Sequence, residues 1–445
     1  MSPELLIKNA HIIDPGQSID ITGNILVSQG KIKSVGKDIK ETGIPTIDAS
    51  GLVACPGFVD LHCHLRDPGF EAKETIASGT AAAAHGGFTT ICCMPNTNPP
   101  LDNLAAIDYV NGTAARKGAV RVLPVGCITK GRAGKEITEM KELSNGGCVG
   151  FSDDGSSVSN SRIMSLAMEY AASLNTPIID HCEDTELSRD GQINDGWVAA
   201  RLGLKGIPAA AEESIIARDI ALARMTGARL HITHVSTAGS VELIRNAKKD
   251  GISISADVTP HHLTLTDEAV LRDSVKNGIS FAYDTSAKVN PPLRSQVDIE
   301  ALIHALNDGT IDAIATDHAP HSAEDKLCEF DAAAFGISGF ETAFGVLMTL
   351  VNTGKIKLTT LLACLTHKPA GIIGGKCAAT GILKPSSSAD IVLLDLNKIW
   401  RVNTHNFYSK GKNTPFNGVD LKGSVAATIF QGIFAFRDNT LEVTG

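Results

Sequence analysis

Short apolar runs punctuated by Gly, Pro and Asp open the chain. Leu5-Leu6-Ile7-Lys8, Ala10-His11-Ile12-Ile13-Asp14, Gly23-Asn24-Ile25-Leu26-Val27 and Lys31-Ile32-Lys33-Ser34-Val35 read as strands of a small antiparallel sheet. The far end resumes this texture in Ala389-Asp390-Ile391-Val392-Leu393-Leu394-Asp395 and again over 424–430 and 432–436. Two ends of one texture around a different middle predict a single discontinuous β domain, residues 1–54 with 376–445. The middle, 55–375, alternates apolar strand-like runs with longer amphipathic stretches. Eight strands are expected, at 57–62, 88–94, 120–126, 148–153, 177–181, 229–235, 253–259 and 312–317, with helical runs such as 74–85, 162–173, 212–226 and 240–249 between them. Eight βα units in succession fit a (β/α)8 barrel, in which active sites gather at the carboxyl ends of the strands.

Composition narrows the function classes. The 445 residues, 43% hydrophobic and 20% charged, suit a folded globular chain rather than a disordered one. A formal charge of −9 argues against a nucleic-acid partner, because phosphate binding needs a basic surface. The start, Met-Ser-Pro-Glu-Leu-Leu-Ile-Lys, lacks the basic lead and unbroken apolar core of a signal peptide, and no run reaches the roughly 20 apolar residues of a membrane span. Ten cysteines without a Cys-x-x-Cys pair read as small buried hydrophobes in a reducing cytoplasm.

The chemistry lies at the predicted strand ends. The first ends Asp60-Leu61-His62-Cys63-His64-Leu65-Arg66. Side chains alternate along a strand, so His62 and His64 share one face, about 7 Å apart, and can converge on one metal ion. Arg66 beside them offers a fork-shaped cation for a carboxylate. Strand four ends Ser152-Asp153-Asp154-Gly155, strand five Asp180-His181, strand six Leu230-His231-Ile232-Thr233-His234, and strand eight Thr316-Asp317-His318-Ala319-Pro320-His321. Four imidazoles and two carboxylates on one rim exceed what one tetrahedral ion needs, so two ions sharing a carboxylate is the economical arrangement.

Together with Met94-Pro95-Asn96-Thr97, Lys288-Val289-Asn290-Pro291-Pro292-Leu293-Arg294 and Phe335-Gly336, these motifs resemble the dihydroorotases of the amidohydrolase superfamily, most closely their bacterial type I branch. The resemblance implies a TIM-like metal-dependent hydrolase barrel with a β-sandwich domain from both termini. It implies two zinc ions: one held by His62, His64 and Asp317, the other by His181 and His234, with Asp154 bridging. Spacing to His181 favours Asp154 over Asp153 for that place. Hydantoinases and allantoinases are expected to bridge their metals with a carboxylated lysine here, and no lysine is present.

The implied reaction is reversible cyclisation of N-carbamoyl-L-aspartate to L-dihydroorotate in pyrimidine synthesis, with a hydroxide between the metals as nucleophile and Asp317 as general acid and base. His64, Arg66, Asn96 and His321 would meet the substrate, the last three gripping its carboxylate. Asn290 and the backbone at Phe335-Gly336 would bind the ring's amide edge. Residues 322–339 would form a cover over the site. A homodimer is the expected assembly, with aspartate carbamoyltransferase a further candidate partner. Two alternatives stand beside this reading: a related cyclic amidase, and an inactive scaffold subunit of aspartate carbamoyltransferase, which should have lost metal ligands.

Other polar residues have plainer readings. His11, His85, His304, His367 and His405 are left unassigned, since a lone histidine is more often a hydrogen-bonded core or surface residue than a ligand. His231 should point away from the rim. His261 and His262 end strand seven without a required role, and His318 suits a supporting one. Asp153 suits a turn or a supporting carboxylate rather than a ligand. Asp180 and Glu183 read as solvated charges or orienting partners of His181, and Lys288 and Arg294 as loop ion pairs, with a substrate role as the lesser alternative.

Overall fold

The computed structural model describes residues 4–39, 41–271, 274–276, 279–281, 283–377 and 379–444. Five strands come first: β1 (Glu4–Asp14), β2 (Ile19–Ser28), β3 (Lys31–Gly36), β4 (Thr46–Asp48) and β5 (Val53–Pro56). The middle supplies β6 (Phe58–Cys63), β7 (Phe88–Cys93), β8 (Arg121–Pro124), β9 (Ile178–Asp180), the short pair β10 (Ile193–Asn194) and β11 (Gly206–Ile207), β12 (Leu230–Ile232), β13 (Ile254–Val258), the pair β14 (Ser274–Lys276) and β15 (Ile279–Phe281), and β16 (Ala313–Ile314). Strands β17 (Ile391–Arg401), β18 (Asp420–Phe430) and β19 (Ile433–Arg437) complete the set.

The two ends of the chain are hydrogen-bonded into one eight-stranded sheet, in the order β19-β18-β17-β5-β1-β2-β3 with β4 beside β1. Two of its hairpins turn on Gln-Gly. Gln29 and Gly30 (φ 54° and 73°) link β2 to β3, and Gln431 and Gly432 (φ 50° and 77°) link β18 to β19. Positive φ at both turn residues is the twist-matched geometry for a two-residue loop. Side-chain alternation along β5 and β17 then joins the sheet to the rest. Ala54, Ile391 and Leu393 pack into the apolar core of the sheet, while Val53, Cys55, Val392 and Leu394 pack into the large core beyond it.

The apolar run from Val53 to Val59 is divided between the two regions at Gly57. A Cβ at Gly57 would lie 2.2 Å from Thr89 Oγ1, so only glycine permits this crossing. From there parallel pairing runs β6-β7-β8 and, separately, β9-β12-β13-β16. Bridges Gly126↔Phe151 and Phe151↔Ile178 connect the two groups on one side, and Cys63↔His318 connects them on the other. Seven of the eight expected middle strands are therefore found as strands. The fourth, at 148–153, pairs on both sides but only through Phe151, because Ser152-Asp153-Asp154-Gly155 turns away at once, with Gly155 at φ 71°.

The helices start where their caps dictate. Thr75 Oγ1 accepts from Ser78 N at 3.1 Å and starts helix Ile76–His85, and Thr237 Oγ1 accepts from Ser240 N at 3.0 Å and starts helix Ala238–Lys249. The other two expected runs are the helices Ser161–Ser173 and Ala210–Thr226. All ten cysteines are free, and nine are buried.

Candidate active site

The strand ends meet in one cavity of about 300 Å3, lined by His64, Arg66, Asn96, Asp154, Gly155, His181, His234, Asn290, Asp317, Ala319, His321, Phe335 and Gly336. Every residue singled out from the sequence as a ligand or substrate contact is among them, except His62, which lies at the centre just beneath. Cys63 packs into the large core while His62 and His64 turn to the centre, as strand alternation requires.

At that centre His64 Nε2 is 3.0 Å and His62 Nε2 3.6 Å from Asp317 Oδ1. Asp154 Oδ1 is 3.3 Å from His62 Nε2, 3.6 Å from His181 Nδ1 and 3.9 Å from His234 Nε2. The His181 and His234 nitrogens approach to 2.9 Å. Two overlapping groups have ligand spacing, His62/His64/Asp317 and His62/Asp154/His234. Both are fully buried, yet His62 Nε2 and Asp154 Oδ1 make no hydrogen bond. A buried imidazole and carboxylate left unpartnered and aimed at one point are what a resident cation requires, so this donor set fits a metal. The backbone is also strained here. His234 and Asp317 have φ of 39° and 45°, and Arg66 has φ 60°, all left-handed in residues with side chains.

Mutual proximity sets the protonation of the metal-free centre. Burial pulls the His62 imidazole down, but the Asp154 and Asp317 carboxylates beside it lift it to about 9. Burial likewise opposes His181, and Glu183 and Asp154 raise it to about 9. Burial raises Asp154, yet His62 and His234 outweigh it and hold this carboxyl well below its usual range. Asp317 is depressed against burial by the His64 hydrogen bond and the His62 charge.

Further polar groups set the orientation of these side chains. His62 Nδ1 lies 2.7 Å from Thr233 Oγ1, and His64 Nδ1 lies 2.9 Å from Asn96 Oδ1. Asn96 Nδ2 in turn donates to Asp154 Oδ2 at 3.2 Å. Asp60 accepts from Thr316 N at 2.8 Å and from Thr316 Oγ1 at 2.7 Å, tying the residue before Asp317 to the strand that carries His62. Neither Thr233 nor Thr316 was anticipated, although each immediately precedes a ligand candidate. Asp60 stands two residues before His62, on the same strand. His321 Nε2 lies 3.2 Å from Arg66 Nη2 and 2.8 Å from Phe335 O, and burial with the Arg66 charge pushes this imidazole down to about 3. Gly336 has φ 140°, and a Cβ there would meet Ala319 O at 2.8 Å. Within 322–339, Lys326 Nζ donates to Ala334 O of the same segment and to Thr285 O and Lys288 O outside it.

The plainer readings divide. Asp153 is a structural carboxylate that takes Ile128 N at 2.9 Å and Thr129 N at 3.0 Å, which leaves Asp154 alone facing the centre. His231 pairs with Asp257 at 2.8 Å, away from the cavity. His262 bonds Thr259 Oγ1 and Pro291 O, and neither it nor His261 lines the cavity. His318 stacks on Phe340 at 4.2 Å and accepts from Gly339 N at 3.1 Å. Lys288 and Arg294 depart from expectation. Both are buried and donate mainly to backbone carbonyls and neutral side chains rather than to surface carboxylates. Glu183 is no idle solvated charge, since Oε2 accepts from both His181 and Asn290.

Known structures share this fold. L-hydantoinase (dihydropyrimidinase) from Arthrobacter aurescens superposes with TM-score 0.86 at 26% identity, covering 100% of this chain and 98% of that one. A dihydropyrimidinase from Brevibacillus agri does so with TM-score 0.84 at 23% identity, covering 99% and 96%. Fold and site define a hydrolase acting on the C–N bond of a cyclic amide. Residues 51–240 match a family model described as dihydro-orotase-like. A dihydroorotase of Thermoanaerobacter sp. (strain X514) is 51% identical over 434 residues, 97% of each chain, and one of Geobacter metallireducens is 48% identical over 97% of this chain and 99% of that one. The chain belongs to the dihydroorotase family.

Proposed function

We propose that this protein is a zinc-dependent dihydroorotase that interconverts N-carbamoyl-L-aspartate and L-dihydroorotate in pyrimidine synthesis. The observation that carries the reading is one cavity joining a buried imidazole–carboxylate centre to a cationic grip for a substrate carboxylate. The architecture in this reading is a (β/α)8 barrel over 55–375, supported by the parallel pairings, with a β domain from 1–54 and 376–445 whose strands form one eight-stranded sheet.

His62, His64 and Asp317 would hold one zinc, His181 and His234 a second, and Asp154 both. When bound, such ions acidify water and polarise a carbonyl, the two things amide hydrolysis needs at neutral pH. Arg66 binds the substrate carboxylate, with Asn96 and His321 completing the grip, and His321 stays neutral so that it hydrogen-bonds without adding charge. Asn290 and the backbone at Phe335 and Gly336 hold the amide edge of the ring. Asp317 accepts the proton of the attacking water and delivers it to the ring nitrogen as the C–N bond breaks. Its depressed proton affinity makes it a transient relay rather than a proton store.

The hydantoinase likeness raises a second reading, hydrolysis of hydantoin or allantoin. Asp154 where those enzymes are expected to use lysine, and Arg66 in the cavity, oppose it. All six ligand candidates are present, against an inactive scaffold. A spectrophotometric assay of the zinc-loaded protein with dihydroorotate, hydantoin and allantoin tests this. Turnover of dihydroorotate far above the others is expected. Turnover of either other compound without dihydroorotate would overturn the substrate assignment. A homodimer in the cytoplasm, with or without bound aspartate carbamoyltransferase, belongs to the same reading, and sedimentation of the protein alone and mixed with that enzyme reads it out.

A further inference from the structure

Glu183 joins the two halves of the site through one oxygen. Its Oε2 is 3.1 Å from His181 Nε2 and 3.0 Å from Asn290 Nδ2, and those two nitrogens are 3.5 Å apart. A carboxylate accepts hydrogen bonds and cannot donate them, so both neighbours must present N–H groups to it. For His181 this keeps a proton on Nε2, so that Nδ1, which faces Asp154 and His234, is the nitrogen left free to bind once the ring is neutral. For Asn290 it decides which way round the side-chain amide sits. The NH2 end is drawn to Glu183, and the oxygen is left for the cavity that Asn290 lines.

We infer that Glu183 is a positioning residue that fixes the Asn290 amide with its oxygen to the substrate, so that the site reads an N–H donor on the ring or ureido edge. The inference rests on the dihydroorotase reading and extends it. A freely turning amide would present its NH2 half of the time and repel the substrate N–H. The locked one presents only an acceptor, selecting cyclic ureides over rings that carry an acceptor at that place.

A double-mutant cycle tests this on the zinc-loaded enzyme, with kcat, KM and metal content measured for each variant. Glu183→Ala and Asn290→Ala should each raise KM for dihydroorotate about tenfold, as loss of a charge-assisted contact predicts, with kcat changed far less. The double variant should be no worse than Asn290→Ala alone. Glu183→Gln, whose amide oxygen can occupy the same place, should stay within about threefold of the parent protein, since it keeps one acceptor for both neighbours. A second pair guards against misfolding of the alanine variant. Asn290→Asp sets two carboxylates against each other and should lose activity steeply, and Glu183→Gln in that background should recover about tenfold, because it removes one of the two like charges.

Multiplicative losses in the alanine cycle would overturn the inference. So would a Glu183→Ala loss confined to kcat and metal content, or no recovery in the Asn290→Asp pair. Failure of the parent protein to hydrolyse dihydroorotate would instead remove the functional reading on which the inference stands, a result separable from all of these.

Discussion

The terminal sheet and the strand-end centre are buried to a similar depth and built on opposite terms. In the sheet, Ile7, Ile12, Ile25, Val27 and Leu393 pack into one apolar cluster. At the centre, His62, Asp154, His181, His234 and Asp317 are just as inaccessible, yet they present charge to charge, with His62 Nε2 and Asp154 Oδ1 unpartnered. Burying apolar surface stabilises a fold, whereas burying ionisable groups without partners does so only when a ligand completes them. The first region stabilises the fold through apolar burial, and the second keeps charged groups poised for a ligand.

Substitution should separate the two. The largest effect is expected at Asp317. Asp317→Asn should lower kcat by about 1,000-fold or more while metal content stays near that of the parent protein, because an amide cannot relay the proton. Turnover assay and elemental analysis of one preparation read both quantities. Arg66→Ala should raise KM for dihydroorotate by about 10- to 100-fold, the weight of a lost charge-assisted contact, and leave the melting temperature almost unmoved. In the sheet, Ile25→Ala should do the reverse. It should destabilise by about 2–5 kcal/mol in denaturant unfolding, with kcat of the folded fraction unchanged. Lost activity per folded molecule in that variant would blur the distinction.

The smallest effect sharpens the comparison through pH. In the metal-free protein His62 and His181 titrate at about 9, above the usual imidazole value of 6.5. A raised imidazole contributes stability that is complete below pH 6.5 and is lost as pH rises through about 9. Metal needs those nitrogens unprotonated, so its affinity should move the other way and rise over the same window, with protons released on binding. Calorimetry across that range, in two buffers of different ionisation enthalpy, checks both trends.

Much of this was legible from residue order, for identifiable reasons. Strand alternation and the βα rhythm are local, so His62, His64, His181, His234 and Asp317 could be placed on one rim from spacing alone. Spacing to His181 favours Asp154 over Asp153, but the reason is tertiary, the capture of Asp153 by the amides of Ile128 and Thr129, 25 and 24 residues away. The Asp60–Thr316 clasp spans 256 residues, and no periodicity could reveal it. Lys288 and Arg294 resemble surface cations in sequence, and only the packed loops show them buried on carbonyls. The fourth strand was over-extended because its apolar start gives no sign of how early Asp154 must turn inwards.

Titrating zinc into the chelated protein, with dihydroorotate hydrolysis followed after each addition, should show no activity at the start and a rise that saturates at two ions per chain. Full activity in the metal-free protein, or saturation at one ion, would contradict the dinuclear centre assigned to these buried side chains.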